Sequence, residues 1–218
     1  MNGLFASDHW DGGALRISSA PSYFKMFEQV IARLPHSIIE QAAEELLVAY
    51  ERNRTIFLFG NGGSAALASH FACDLGKGTV RSGEPQKRFR VLALTDNLPL
   101  LTAWANDSCY EDVFAQQLRN FVEPGDVVFA ISGSGNSANV LRALEVAHKF
   151  GAFNIGLTGY CGGKMKNLCN LCIVIPSENM QIIEDLHLSV THAIFSVVRY
   201  RLNQNKRSEF VVGASSAD

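Results

Sequence analysis

The chain reads as a doubly wound α/β domain, and three observations predict it. Short apolar runs of strand length alternate with amphipathic helical stretches, the pattern of a parallel sheet covered on both faces. Two of those runs end in Ser/Gly-rich loops that open helices, where open α/β sheets bind ligands. With 218 residues, 47% of them hydrophobic and 18% charged, the chain has material for one well-packed domain.

The elements follow in order. Residues 1–19, rich in Gly, Ser and Asp, are expected to form a flexible tail. From Tyr23 to Arg52 apolar residues recur at helical spacing (Phe24, Phe27, Ile31, then Ile39, Ala42, Leu46), and Pro35 divides the run into a helical pair. TIFLFG reads as a buried strand, the loop GNGGSA follows, and ALASHFACDL continues as a helix. RVLALTD is a strand followed by a helical stretch from about Leu98 to Ala105. DVVFAIS runs into the loop SGSGNS, and ANVLRALEVAHKF is an amphipathic helix closed by Gly151. NIGLTGY is a strand, GGKMKNLC a short helix and LCIVIP a strand. A last helix from about Met180 to Asn203 carries Ile183, Leu186, Leu188, Val190 and Ile194. Residues 20–205 form a single domain, and 206–218 are expected to be a C-terminal tail.

Composition removes several classes of function. A net charge of −2 offers no basic face for nucleic acid or an anionic membrane surface. No run approaches a membrane span, and the N-terminus has neither a basic n-region nor a continuous apolar h-region, so a cytoplasmic location is expected. Five cysteines, an odd number, suit reduced thiols. Cys169 and Cys172 form a CxxC with no second pair to complete a zinc site, and they read as packing residues.

The two loops carry the first functional signal. Neither matches the dinucleotide fingerprint G-x-G-x-x-G in context, and neither carries the GK[ST] of a P-loop. Both place backbone N–H groups at helix N-termini beside hydroxyls, from Ser64 in one loop and Ser132, Ser134 and Ser137 in the other. That chemistry binds a phosphate monoester without Lys or Arg. Beside the first loop, His70 and Asp74 stand four residues apart and share a helix face, a common way to present two ligands to one ion. Other histidines read more simply: His9 in the tail, His36 at a turn, His148 on an exposed face, with the role of His187 left open.

The pair GNGGSAxxxxHF and ISxSGNSxNVxxAL, with LTGxxGGKM and a His-bearing C-terminal helix, resembles the sugar isomerase (SIS) domain and, within it, the phosphoheptose isomerases. The resemblance spans about residues 20–203. It implies a flavodoxin-like fold and an aldose–ketose isomerisation, of sedoheptulose 7-phosphate to a heptose 7-phosphate, through an enediolate. It implies that Ser132, Gly133, Ser134 and Ser137 grip the phosphate. Asn61, Gly62, Gly63 and Ser64 would lie at the sugar, and Asn106, Asp107 and Glu184 would complete the substrate site. Carried over by motif, His70, Asp74, Glu184 and His192 would bind one Zn²⁺, with Asp74 as base and His192 as acid. It implies a homotetramer with active sites at subunit interfaces. The chain departs from the family where Asp74 replaces a usual Glu, Glu184 a usual Gln and Gly133 a usual Thr, and where Asp96-Asn97 replaces Thr-Asp. Three alternatives stand beside this reading: an isomerase of another sugar phosphate, a non-catalytic binding protein of the replication-initiator-associated type, and a sugar-phosphate-sensing regulatory module. The acid at 74 and the His at 192 speak against the second, and no DNA-binding domain accompanies the third.

Overall fold

A computed structural model describes residues 17–80 and 86–214, with side chains through residue 204. Most of the expected N-terminal tail therefore lies outside the described residues. Its last part is ordered: Ile17 packs on the core, and Ser19 caps the first helix by accepting from the Ser22 backbone N–H at 3.3 Å.

The helical pair is present as α1 (Ala20–Ile31) and α2 (His36–Glu51), with Pro35 between them. Then β1 (Thr55–Gly60) leads to α3 (Gly63–Cys73), and the next five residues, Asp74–Gly78, widen into a π-helical turn. After β2 (Arg90–Ala93) and α4 (Leu98–Asp107) comes a 3-10 turn at Tyr110–Asp112 and a short α5 (Ala115–Phe121). The chain continues through β3 (Val127–Ser132), α6 (Ala138–Lys149), β4 (Phe153–Thr158), a 3-10 turn at Lys164–Leu168, β5 (Leu171–Val174) and α7 (Met180–Ala214).

All strand pairs are parallel, in the order β2-β1-β3-β4-β5. Strands β1, β3 and β4 bury both faces, in keeping with their apolar runs, whereas the edge strand β2 is partly exposed. Ile56 and Leu58 of β1 and Val127, Phe129 and Ile131 of β3 point into one layer with α1, α2, α3 and α7. Phe57, Phe59, Val128 and Ala130 point into the other, with α5 and α6. Gly60 pairs with Ile131, and a Cβ on Gly60 would stand 2.7 Å from the Ile131 carbonyl oxygen, so the two strands close up there.

From β1 the chain crosses outward to β2 and then returns to β3 on the other side. The reversal of strand order thus falls between β1 and β3, at whose carboxyl ends an open sheet leaves a crevice. These are the two strands that carry the Ser/Gly loops.

Two expectations are revised. Helix α5 and the 3-10 turn before it do not announce themselves in the sequence. Helix α7 runs to Ala214, through the segment expected to be a tail. Leu188, one of the apolar residues of that helix, is 41% exposed. It shares with Glu184 and His192 the i, i+4, i+8 stripe that faces outward, while Ile183, Leu186, His187, Val190 and Ile194 are buried.

Candidate active site

A cleft of about 460 Å³ lies between α3 and α7, lined among others by Gly63, Ser64, His70, Glu184, His187 and His192. The two helices meet here because each buries an apolar stripe on the same sheet face. Their polar residues are thereby turned toward one another.

Three side chains converge. His70 Nε2 and His192 Nε2 stand 3.0 Å apart, and Asp74 Oδ2 lies 3.6 Å from the first and 3.8 Å from the second. The residues are thus gathered from positions 122 apart in sequence. Both imidazoles are half exposed, whereas Asp74 Oδ2 is buried and has no hydrogen-bond partner. A buried carboxylate oxygen left unpaired calls for an ion or water as its partner. Around a tetrahedral Zn²⁺ with bonds of roughly 2.0–2.1 Å, ligand atoms are about 3.3 Å from one another. Two imidazole nitrogens and a carboxylate oxygen at 3.0–3.8 Å therefore fit a cation of that kind in both donor type and spacing.

Glu184 takes a different position. Its carboxylate lines the same cleft but lies over the start of α3, where a Cβ on Gly63 would come 3.3 Å from Oε1. It does not join the His70–Asp74–His192 cluster. The N-terminal end of α3 favours an anion there through its peptide dipoles.

The first loop enters α3 through Gly62, whose φ of +55° favours glycine. In the second loop Ser132 Oγ and Ser137 Oγ are 3.3 Å apart, and Asn136 N–H donates to Ser134 Oγ at 3.2 Å. Gly159 N–H donates to the Gly133 carbonyl at 2.9 Å and Met165 N–H to that of Gly135 at 3.0 Å, so the loop is tied to the turn after β4.

Known proteins share this fold. A model of the SIS domain matches residues 22–159. A phosphoheptose isomerase of Aneurinibacillus thermoaerophilus is 40% identical over 169 residues, covering 78% of this chain and 84% of its own. The chain belongs to the phosphoheptose isomerase family of SIS-domain proteins. Among solved structures of that family, the Neisseria gonorrhoeae enzyme superimposes with a TM-score of 0.75 at 31% identity, covering 82% of this chain and 95% of its own. The Francisella tularensis enzyme gives 0.76 at 28% identity, covering 83% and 96%.

Within this SIS domain the other expected site residues take two kinds of place. Asn106 and Asp107 end α4, exposed and bonded to each other at 2.7 Å, and they do not line the cleft. Their segment is nonetheless tied to the first loop, since Tyr110 Oη donates to Asn61 Oδ1 at 3.0 Å. The Asp96-Asn97 departure has structural work: Asp96 accepts from Ser69 of α3, and Asn97 caps α4 through a 3.2 Å bond from Leu100 N–H.

His187 is the residue whose role the sequence leaves open. It is buried beneath the cleft and neither ring nitrogen reaches a hydrogen-bond partner. Burial pushes its pKa down to about 4, against a weaker opposing pull from the Thr158 backbone, so the ring is neutral. Cys169 and Cys172 are free and pack over Gly156, consistent with their packing assignment.

Proposed function

We propose that this chain interconverts sedoheptulose 7-phosphate and a heptose 7-phosphate. The convergence of His70, Asp74 and His192 in a cleft beside the switch point carries the reading, and the family's shared name supports it. The second loop, with Ser132, Ser134 and Ser137, receives the phosphate on hydroxyls and backbone N–H groups. The first loop, from Asn61 to Ser64, is assigned to the sugar, and the Asn106–Asp107 segment, outside the cleft, acts on it only through the Tyr110–Asn61 bond.

An aldose–ketose isomerisation removes a proton from the carbon beside a carbonyl and returns it one carbon away. Asp74 is assigned as the base. Its Oδ2 is directed at the histidines, and the 19% exposure of the side chain belongs to the rest of it. His192, half exposed in the cleft, moves the proton between the substrate oxygens. His70, Asp74 and His192 would hold a Zn²⁺, with Glu184 nearby as a further oxygen donor. Such an ion would polarise the carbonyl and stabilise the developing negative charge. The neutral His187 beneath the cleft adds no charge to it.

We further infer self-association into a homotetramer and a cytoplasmic location. Phe24 on α1 and Leu188 and Tyr200 on α7 are exposed apolar groups that a partner copy would cover. Among the described residues no helix is long and apolar enough to cross a membrane.

The test is metal analysis of the purified protein with an assay on sedoheptulose 7-phosphate, comparing wild type with Asp74→Asn and His192→Gln. Loss of turnover by about 10²–10⁴-fold in each variant is expected for a general acid–base pair. Unchanged turnover in both, or a wild type with neither metal nor turnover, overturns the reading.

A further inference from the structure

Asn61 of the first loop and Asn139 of α6 form a reciprocal amide pair across 78 residues. Asn61 Nδ2 donates to Asn139 Oδ1 and Asn139 Nδ2 donates to Asn61 Oδ1, each at 2.9 Å. The orientation is fixed from the backbone outward. Val140 N–H donates to Asn139 Oδ1 at 3.0 Å, so that edge of the amide must be the oxygen, and Asn61 must present its nitrogen to it. Tyr110 Oη then donates to Asn61 Oδ1 at 3.0 Å.

Counting hydrogens and lone pairs leaves Asn61 with little freedom. Its oxygen accepts twice and is filled, and one of its two amide hydrogens is taken. A single N–H donor remains. Asn139 is 2% exposed, so the pair is anchored in the core and not at the surface. One turn along α6, Arg142 Nε pairs with Asp112 Oδ1 at 3.2 Å, and Ser108 Oγ donates to Asp112 Oδ2 at 2.7 Å. Helix α6 follows the second loop directly. It thereby fixes both the first loop and the 106–112 segment relative to that loop.

We propose that Asn139 and Tyr110 are positioning residues that hold Asn61 as a one-donor probe for an oxygen lone pair of the sugar, at a fixed distance from the phosphate. The proposal rests on the isomerase reading above. It identifies the matched group on the substrate as a hydroxyl or carbonyl oxygen acting as acceptor.

The test uses the full-length protein with Asn139→Asp, which keeps shape and replaces the donating Nδ2 by an oxygen, and with Tyr110→Phe. Expected are a fall in kcat/KM of about 10- to 100-fold for the first and about 3- to 10-fold for the second. Inhibition by inorganic phosphate should stay within about twofold, because the second loop keeps its own bonds. The double variant should be no worse than Asn139→Asp alone, since both changes act through Asn61. Values of kcat/KM within twofold of wild type in both variants overturn the proposal. So do losses that multiply in the double variant, or phosphate inhibition weakening in step with kcat/KM. If Asn139→Asp does not fold, Tyr110→Phe decides alone, since Tyr110 is 57% exposed. If the wild type itself lacks turnover, the isomerase reading fails on its own. Backbone hydrogen exchange over residues 61–65 then tests the anchoring: faster exchange in the variants supports it, and unchanged exchange overturns it.

Discussion

At Gly133, where the sequence resemblance implies a Thr, the structure shows what occupies the space a side chain would take. A Cβ built on Gly133 would lie 2.5 Å from Met180 Sδ and 3.1 Å from Met180 Cε. Ordinary contacts between heavy atoms sit at roughly 3.5–4.0 Å, so the overlap is about 1 Å. Met180 opens α7, and its thioether can swing aside, at the cost of its present packing. Gly133→Ala should therefore destabilise by about 1–2 kcal/mol, at the lower end of overpacking. For a chain of this size that lowers the melting temperature by about 3–6 °C. Met180→Ala removes the obstacle, so the double variant should be more stable than the two single losses predict, with a coupling of about 1 kcal/mol. Gly133→Thr combined with Met180→Ala also returns a hydroxyl to the loop, and inorganic phosphate should inhibit that variant more tightly than wild type. Thermal melts of the four-variant cycle and phosphate inhibition constants measure both effects. Strict additivity, with coupling below about 0.3 kcal/mol, would refute the reasoning, because Met180 and Gly133 would then not share the space.

Two further outcomes follow from the same geometry. His187 has a folded pKa of about 4 against an unfolded value near 6.5. Between these pH values the unfolded chain binds the extra proton, so stability falls as pH drops from 6.5 to 4, by about 3 kcal/mol from this residue. His187→Leu should remove that share of the slope in urea midpoints; an identical pH profile for variant and wild type speaks against it. Gly135 has φ +65° and would place a Cβ 2.2 Å from the Gly162 carbonyl oxygen, which is backbone and cannot rotate away. Gly135→Ala should cost about 3 kcal/mol and weaken phosphate inhibition; a melting temperature within 2 °C of wild type contradicts the close packing of these turns.

Much of this site was legible because its parts are local in sequence. His70 and Asp74 share one helix face by spacing alone, and the two Ser/Gly loops identify themselves by composition at strand ends. What joins the parts is not local. That β1 and β3 are neighbours, and so bring their loops together, depends on strand order, which five similar apolar runs do not encode in any readable pattern. Helix α5 escaped notice because its core includes a polar residue: Gln117 is buried by donating to the Leu94 and Val113 carbonyls, a solution specific to this fold. Asn139 was hidden for a related reason. Only its partner 78 residues away distinguishes it from any polar residue near a helix start. Leu188 is exposed despite its apolar side chain, because hydrophobicity along a helix marks the core only when no cleft or partner competes for the residue.

The residue that most tests whether this is the family's usual chemistry is Asp74. It begins the π-helical turn that follows α3, itself with α-helical dihedrals. Although one methylene shorter than the usual Glu, its Oδ2 already stands 3.6 and 3.8 Å from the two imidazoles, the reach their pairing requires. A longer side chain on the same backbone carries the carboxylate about 1.5 Å further, into the histidines or past them, unless it folds back. The backbone and the short side chain thus form a matched set. Asp74→Glu, which installs the residue the sequence resemblance implies, should therefore lower kcat/KM by about 10- to 100-fold, since a misplacement near 1 Å costs that much in a positioned site. Turnover equal to or above wild type in Asp74→Glu would show that the backbone tolerates either length, and that the shorter acid is incidental to the chemistry.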